Sequence, residues 1–158
     1  WIDTVYVPTR VAIGKIAFLD ALREDHAHRF GASSAVVLCG DFNICWDERD
    51  MAKPTMIAQS HIHPDRPEDQ AVRRLVAERR LVDCFRLRCH DGGHYSWFAT
   101  TADALGCNEG MRLDYLFASE PLAAGLVGCE HVREPRSWDS PSDHVPVTAT
   151  FSAESATR

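Results

Sequence analysis

Val36-Val37-Leu38-Cys39-Gly40-Asp41-Phe42-Asn43 decides how the rest of the chain is read. Its first four residues are apolar, two of them β-branched, which predicts a buried strand that Gly40 ends. Asp41 and Asn43 follow at alternate positions. In an extended segment alternate residues share a face, so this carboxylate and this amide are expected to project together from the strand end. The C-terminal edge of a buried strand is also where open α/β folds collect ligands. Taken alone, the same stretch reads equally well as a strand followed by an Asp/Asn turn.

Composition sets the bounds. A chain of 158 residues is long enough for one domain with a real core. A hydrophobic fraction of 45% and a charged fraction of 25% are those of an ordinary globular protein. No apolar run approaches the roughly eighteen residues that cross a bilayer, and no signal-peptide pattern opens the sequence. A cytoplasmic location without membrane attachment is therefore expected. Cys39, Cys45, Cys84, Cys89, Cys107 and Cys129 include no CxxC pair, so reduced thiols are expected rather than a zinc or redox site. The net charge of −6 argues mildly against a nucleic-acid partner. Metal-dependent nucleases are the exception, because their carboxylates hold cations that meet phosphate. The chain opens on Trp1 and is strand-like from Ile2 to Val7, which suggests a piece of a longer domain.

In order, Tyr6 ends that first strand with a hydroxyl. Ile13 to Arg29 reads as a helix with Ile16, Phe18, Leu19 and Leu22 apolar, and Gly31 closes it. Cys45 to Asp65, interrupted by Pro54 and Pro64, reads as a long surface loop. His61 and His63 in it lack a nearby carboxylate or thiol to complete a ligand set and read as solvated. Pro67 to Arg80 is the clearest helix: Pro67 suits the first turn, Glu68 and Asp69 the positive end, and Val72, Leu75 and Val76 form an apolar stripe. Leu81 to Arg86 reads as extended, Tyr95 to Phe98 as an aromatic strand and Met111 to Phe117 as a strand carrying Asp114. Pro121 to Leu126 is a short helix or turn, with strands expected over Val127–Val132 and Val145–Phe151. One domain over residues 1–151 and a frayed tail over 152–158 result.

An aspartate inside Leu113-Asp114-Tyr115-Leu116 is costly unless a partner satisfies it. His144 in Ser142-Asp143-His144 is the candidate, since a carboxylate fixes an imidazole's tautomer and stabilises its charged form. Asp41, Asn43 and Asp143 would then offer hard oxygens of the kind magnesium prefers. Such a set suits metal-assisted hydrolysis of a phosphate ester.

Gly-Asp-Phe-Asn at 40–43, Arg-Leu-Asp-Tyr at 112–115 and Ser-Asp-His at 142–144 resemble, in order and spacing, the endonuclease/exonuclease/phosphatase superfamily. Leu81 to Arg86, Tyr95 to Phe98 and Asn108 to Arg112 are similar to signature stretches of its exodeoxyribonuclease III and abasic-site endonuclease branch. The resemblance runs from about Tyr6 to Phe151. It implies an α/β (α+β) four-layer sandwich of the DNase I-like type, of which this chain supplies the C-terminal half as one mostly antiparallel sheet with flanking helices.

For the site, the resemblance implies Asp41 as activator of the attacking water and Asn43 as its companion near metal and phosphate. It implies Asp143 as a metal-site carboxylate, His144 on the scissile phosphate, Asp114 orienting it, and Tyr6 reaching the phosphate. Trp97, Met111 and Leu113 would line an apolar slot for a flipped-out, base-free sugar, with Asn108 and Arg112 as further substrate contacts. The implied cofactor is Mg2+, with Mn2+ as substitute. The implied partner is double-stranded DNA with abasic sites or 3′ ends, met by a monomer.

Departures accompany the match. Family members usually extend further at the N-terminus, where they carry an asparagine and a metal-ligand glutamate without counterparts here. Thr9 stands where asparagine is frequent, and Met111 replaces a larger or branched residue. Weak or no activity is therefore expected of the chain by itself. A phosphoinositide or sphingolipid phosphodiesterase, or a catalytically incomplete half-domain, are the competing readings.

Overall fold

The expected strand forms over Val37–Asp41 and lies inside the main sheet. The computed structural model describes residues 2–6, 12–53, 66–100 and 103–153, with the side chains of residues 2–6, 12 and 13 outside the description. In chain order the elements are β1 (Ile2–Tyr6), α1 (Ala12–Arg29), β2 (Val37–Asp41), α2 (Pro67–Glu78), β3 (Leu81–Asp83), α3 (Cys84–Arg88), β4 (Trp97–Phe98), β5 (Gly110–Met111), β6 (Asp114–Ser119), α4 (Glu120–Ala123), β7 (Leu126–His131) and β8 (Val147–Phe151). The main sheet has the order β1-β2-β6-β3, with two separate ladders, β4–β5 and β7–β8. β1 and β2 run parallel, joined through α1, whereas β2–β6 and β3–β6 are antiparallel.

Alternation along β6 covers both faces of this sheet. Tyr115 and Phe117 join Leu38 of β2 against Leu19 of α1 and Val72, Leu75 and Val76 of α2. Leu116 and Ala118 point the other way, into a cluster with Cys84, Ala123, Leu126, Ala149 and Phe151. The result is a helix layer, a sheet, and the β7–β8 ladder beneath it.

Several expected boundaries shift, each for a local reason. β2 continues through Gly40, whose φ of 144° a glycine adopts freely, and ends at Asp41. Leu81 to Arg86 is extended over three residues only; the Asp83 carboxylate accepts from the Phe85 and Arg86 amides at 3.0 and 3.2 Å and starts α3. Met111 to Phe117 is broken at Arg112-Leu113, because the buried Ser96 Oγ takes the amides of Leu113 and Asp114 at 2.9 and 3.0 Å. Of the expected Cys45–Asp65 loop, residues 54–65 lie outside the described residues; over 45–53 Glu48, Arg49 and Lys53 are exposed, but Cys45 and Asp50 are fully buried and Met51 nearly so, which anchors the segment in the interior. The inward face of α1 carries Lys15, Leu19 and His26 with Leu22 partly buried, while Phe18 is 40% exposed. His61, His63, Thr9 and the Tyr6 side chain lie outside the described residues.

His131 of β7 packs on Phe85 at 4.4 Å, with both ring nitrogens buried and unbonded among the described residues. Burial, then the charges of Arg112 and His94, lower its pKa from 6.5 to about 4. The imidazole is thus neutral in the fold and protonates first in the unfolded chain. Its contribution is full above pH 6.5 and is lost as pH falls through about 4. Moving from pH 7.5 to 5 should cost about 2 kcal/mol through this group. Urea midpoints at the two pH values measure it, and His131→Phe should flatten the difference by that amount.

Candidate active site

The register of β2 on β6 places Asp41 directly opposite Asp114 at the end of the ladder. Two carboxylates so placed repel one another. Each is held by donors. Asn43 adopts a left-handed φ of 49°, which asparagine tolerates, and its backbone amide donates to Asp41 Oδ1 at 2.9 Å. The Asn43 side-chain Nδ2 donates to Asp41 Oδ2, also at 2.9 Å. Asp41 and Asn43 are therefore folded onto each other rather than arrayed along an extended segment; the strand and the Asx turn are both present. Burial, then the charge of Asp114, push the Asp41 carboxyl up to about 6, against the Asn43 hydrogen bonds.

Asp114 is met by His144, whose Nδ1 lies 2.7 Å from Asp114 Oδ2. Burial alone would lower the imidazole's pKa, but the bond and charge of Asp114, with Asp41 and Asp143 behind it, raise it above its ordinary value. Fixing Nδ1 leaves Nε2 as the nitrogen not engaged by Asp114. Asp143, one residue earlier, accepts from Trp97 Nε1 through Oδ2 at 2.9 Å, and its carbonyl accepts from the Phe98 amide at 3.0 Å. Asp41, Asn43, Asp114, Asp143 and His144 thus gather at one end of the sheet.

The remaining sequence candidates fall elsewhere. Trp97, Met111 and Leu113 do meet, in a cluster with Cys45 and Met51. Met111 and Leu113 are only 5% and 3% exposed, so Trp97 supplies the accessible flank. Gly110 lets β4 approach: a Cβ there would stand 2.6 Å from the Trp97 carbonyl. Asn108 donates to the Gly93 carbonyl and accepts from Arg133, both at 2.9 Å, and so ties loops together.

Arg112, expected to touch substrate, is 1% exposed and committed to the interior. Its Nε and Nη2 donate to Asp50 at 2.8 and 3.0 Å, and Nη1 donates to Asp83 at 2.8 Å. Asp50, itself wholly buried, also accepts from Arg86 and from the Trp46 amide. Three further residues escaped the sequence reading: Asp50, Ser96 and Lys15. Lys15 is 3% exposed and donates through Nζ to the Asn43 carbonyl at 2.9 Å, behind the Asx turn. Its position in register with Leu19, Leu22 and His26 was the available signal.

Among the described residues no three His, Cys, Asp or Glu side chains close round one point. The donors present are nevertheless hard oxygens amid concentrated negative charge. Magnesium is commonly held by one or two carboxylates while keeping several waters. The donor set fits that kind of ion.

The chain superposes on an AP endonuclease from Archaeoglobus fulgidus with a TM-score of 0.85 and 26% identity, over 95% of this chain and 60% of that one. It superposes on a 3′-5′ exonuclease from Neisseria meningitidis with a TM-score of 0.82 and 31% identity, again over 95% and 60%. The fold is thus α/β of the DNase I-like type. The model of the endonuclease/exonuclease/phosphatase family matches residues 4–144, and the chain belongs to that family. Exodeoxyribonuclease III of Haemophilus influenzae is 27% identical over 124 residues, covering 75% of this chain. The chain spans 46% of that relative's length.

Arg112→Met should take the guanidinium partner from Asp83, leave Asp50 with Arg86 alone, and cost about 3–5 kcal/mol of stability, measured by urea unfolding. A variant that unfolds like the parent would show that the buried ion cluster does not hold the fold.

Proposed function

We propose that this chain carries part of the active site of a divalent-metal-dependent phosphodiesterase acting on DNA, of the exodeoxyribonuclease III and abasic-site endonuclease type. The observation that carries the reading is the Asp41–Asp114–His144 arrangement at the end of β2–β6. The names of the relatives and of the superposed structures support a DNA substrate. Duplex DNA with abasic sites or 3′ ends is the substrate proposed, cut 5′ to the lesion or degraded from the 3′ end by a monomer.

In this reading Asp41 is the base that takes a proton from the attacking water. A carboxyl brought to about 6 is ionised at neutral pH yet accepts a proton more readily than an ordinary aspartate. Asn43 keeps that carboxylate in one orientation through its two donors. His144, whose charged form Asp114 favours, would face the charge that builds on the phosphate oxygens as water adds and the P–O bond breaks. Asp41, Asn43 and Asp143 would hold the cation, Mg2+ or Mn2+, whose chemistry is to neutralise the phosphate and polarise its P–O bonds. Trp97 would press its accessible flank against a base-free sugar turned out of the duplex.

The test is Mg2+-dependent nicking of a duplex with one abasic-site analogue. It is run on the chain alone and joined to the N-terminal segment of the Haemophilus relative, because the chain spans less than half of that protein. The joined protein should nick the duplex, and Asp41→Asn should slow it by roughly 10²–10⁴-fold. No nicking by a folded joined protein would overturn the abasic-site reading, and hydrolysis of a lipid phosphodiester instead would move the family member to that substrate.

A further inference from the structure

Trp97 contributes more than an apolar flank. Its indole N–H points at Asp143 and donates to Oδ2 at 2.9 Å. The next residue, Phe98, donates its backbone amide to the Asp143 carbonyl at 3.0 Å, and Trp97 and His144 are bridged as antiparallel neighbours. β4 therefore grips Asp143 at both main chain and side chain. Trp97 itself is fixed, paired with Met111 across β4–β5 and packed on the cluster of Met51, Met111 and Leu113.

We propose that Trp97 is a positioning residue for Asp143, orienting the carboxylate for a divalent cation before the cation arrives. The proposal rests on the metal-dependent reading above. A carboxylate between the tip of a loop and a strand has free rotation about its side-chain bonds. An N–H donor on one oxygen selects a single orientation and leaves Oδ1 as the oxygen without that donor. Groups that hold a ligand in this way commonly set metal affinity by 10–100-fold. The arrangement also places recognition and metal binding on one side chain: whatever leans on the Trp97 ring leans on the atom that holds Asp143.

Trp97→Phe keeps an aromatic wall and removes the donor. Mn2+ binding, followed by the electron paramagnetic resonance of the free ion, should weaken about tenfold in Trp97→Phe while circular dichroism shows the fold intact. In an Asp143→Ala background the same substitution should produce no further loss. Unchanged Mn2+ affinity in Trp97→Phe, or an equal loss in both backgrounds, overturns the proposal. A second measurement needs no metal. Exchange of the Trp97 Nε1 proton, read by nuclear magnetic resonance, should speed up at least tenfold in Asp143→Ala, and an unchanged rate overturns the hold of Trp97 on Asp143. Absence of Mn2+ binding by the unsubstituted chain would instead defeat the metal reading, and the exchange rate would then rule on the Trp97–Asp143 bond by itself.

Discussion

Two carboxylates face each other across the last pair of the β2–β6 ladder, and the surroundings answer that repulsion. Asp41 is steadied by the two nitrogens of Asn43, and Asp114 by the imidazole of His144. Each answer imposes a further requirement. Asn43 must enter the left-handed region to reach back, and the buried Lys15 ammonium accompanies that turn by taking the Asn43 carbonyl. His144 must lie beside β6, and β4 brings its loop there through the Asp143 carbonyl and the Trp97 bridge. Charge crowding that would be a defect in a structural sheet is thus organised by neighbours whose own positions are fixed.

A second, largely buried ion cluster lies next to these parts. Arg112 lies between Asp50 and Asp83, stacked 4.3 Å over Tyr115. It occupies the step between β5 and β6, immediately before Leu113 and Asp114. Ser96 takes the two amides freed at that step, so the break in the strand is satisfied rather than frayed. Burying a guanidinium there is costly in desolvation, and its carboxylate partners offset the cost. The return is a fixed kink that separates the apolar cluster around Met111 from the acidic end of β6.

Legibility in the sequence followed how local each cause was. The strand β2 and the helix beginning at Pro67 announce themselves through apolar runs, stripes and terminal charges within a few residues. The pairing of Asp114 with His144 was also legible, because a carboxylate within a strand demands a partner and a histidine stood in reach. The inward face of α1 was not: Lys15 and His26 occupy two of its positions and blur the stripe. α3 was hidden because Asp83 turns an apolar extended run into a helix start. The burial of Arg112, expected as a substrate contact, was not legible, since its partner Asp50 comes from a segment that looks like loop. The alternation of Asp41 and Asn43 was visible, but their contact depends on one backbone angle that no periodicity reports.

The site joins segments that are remote along the chain, and this has a kinetic side. Asp41, Trp97, Asp114 and His144 converge only after the β2–β6 ladder closes and β4 has docked against the loop before β8. Such long-range pairings form slowly because loop-closure entropy must be met before any contact repays it. A collapsed chain with α1 and α2 formed would therefore have most of its helix and none of its site.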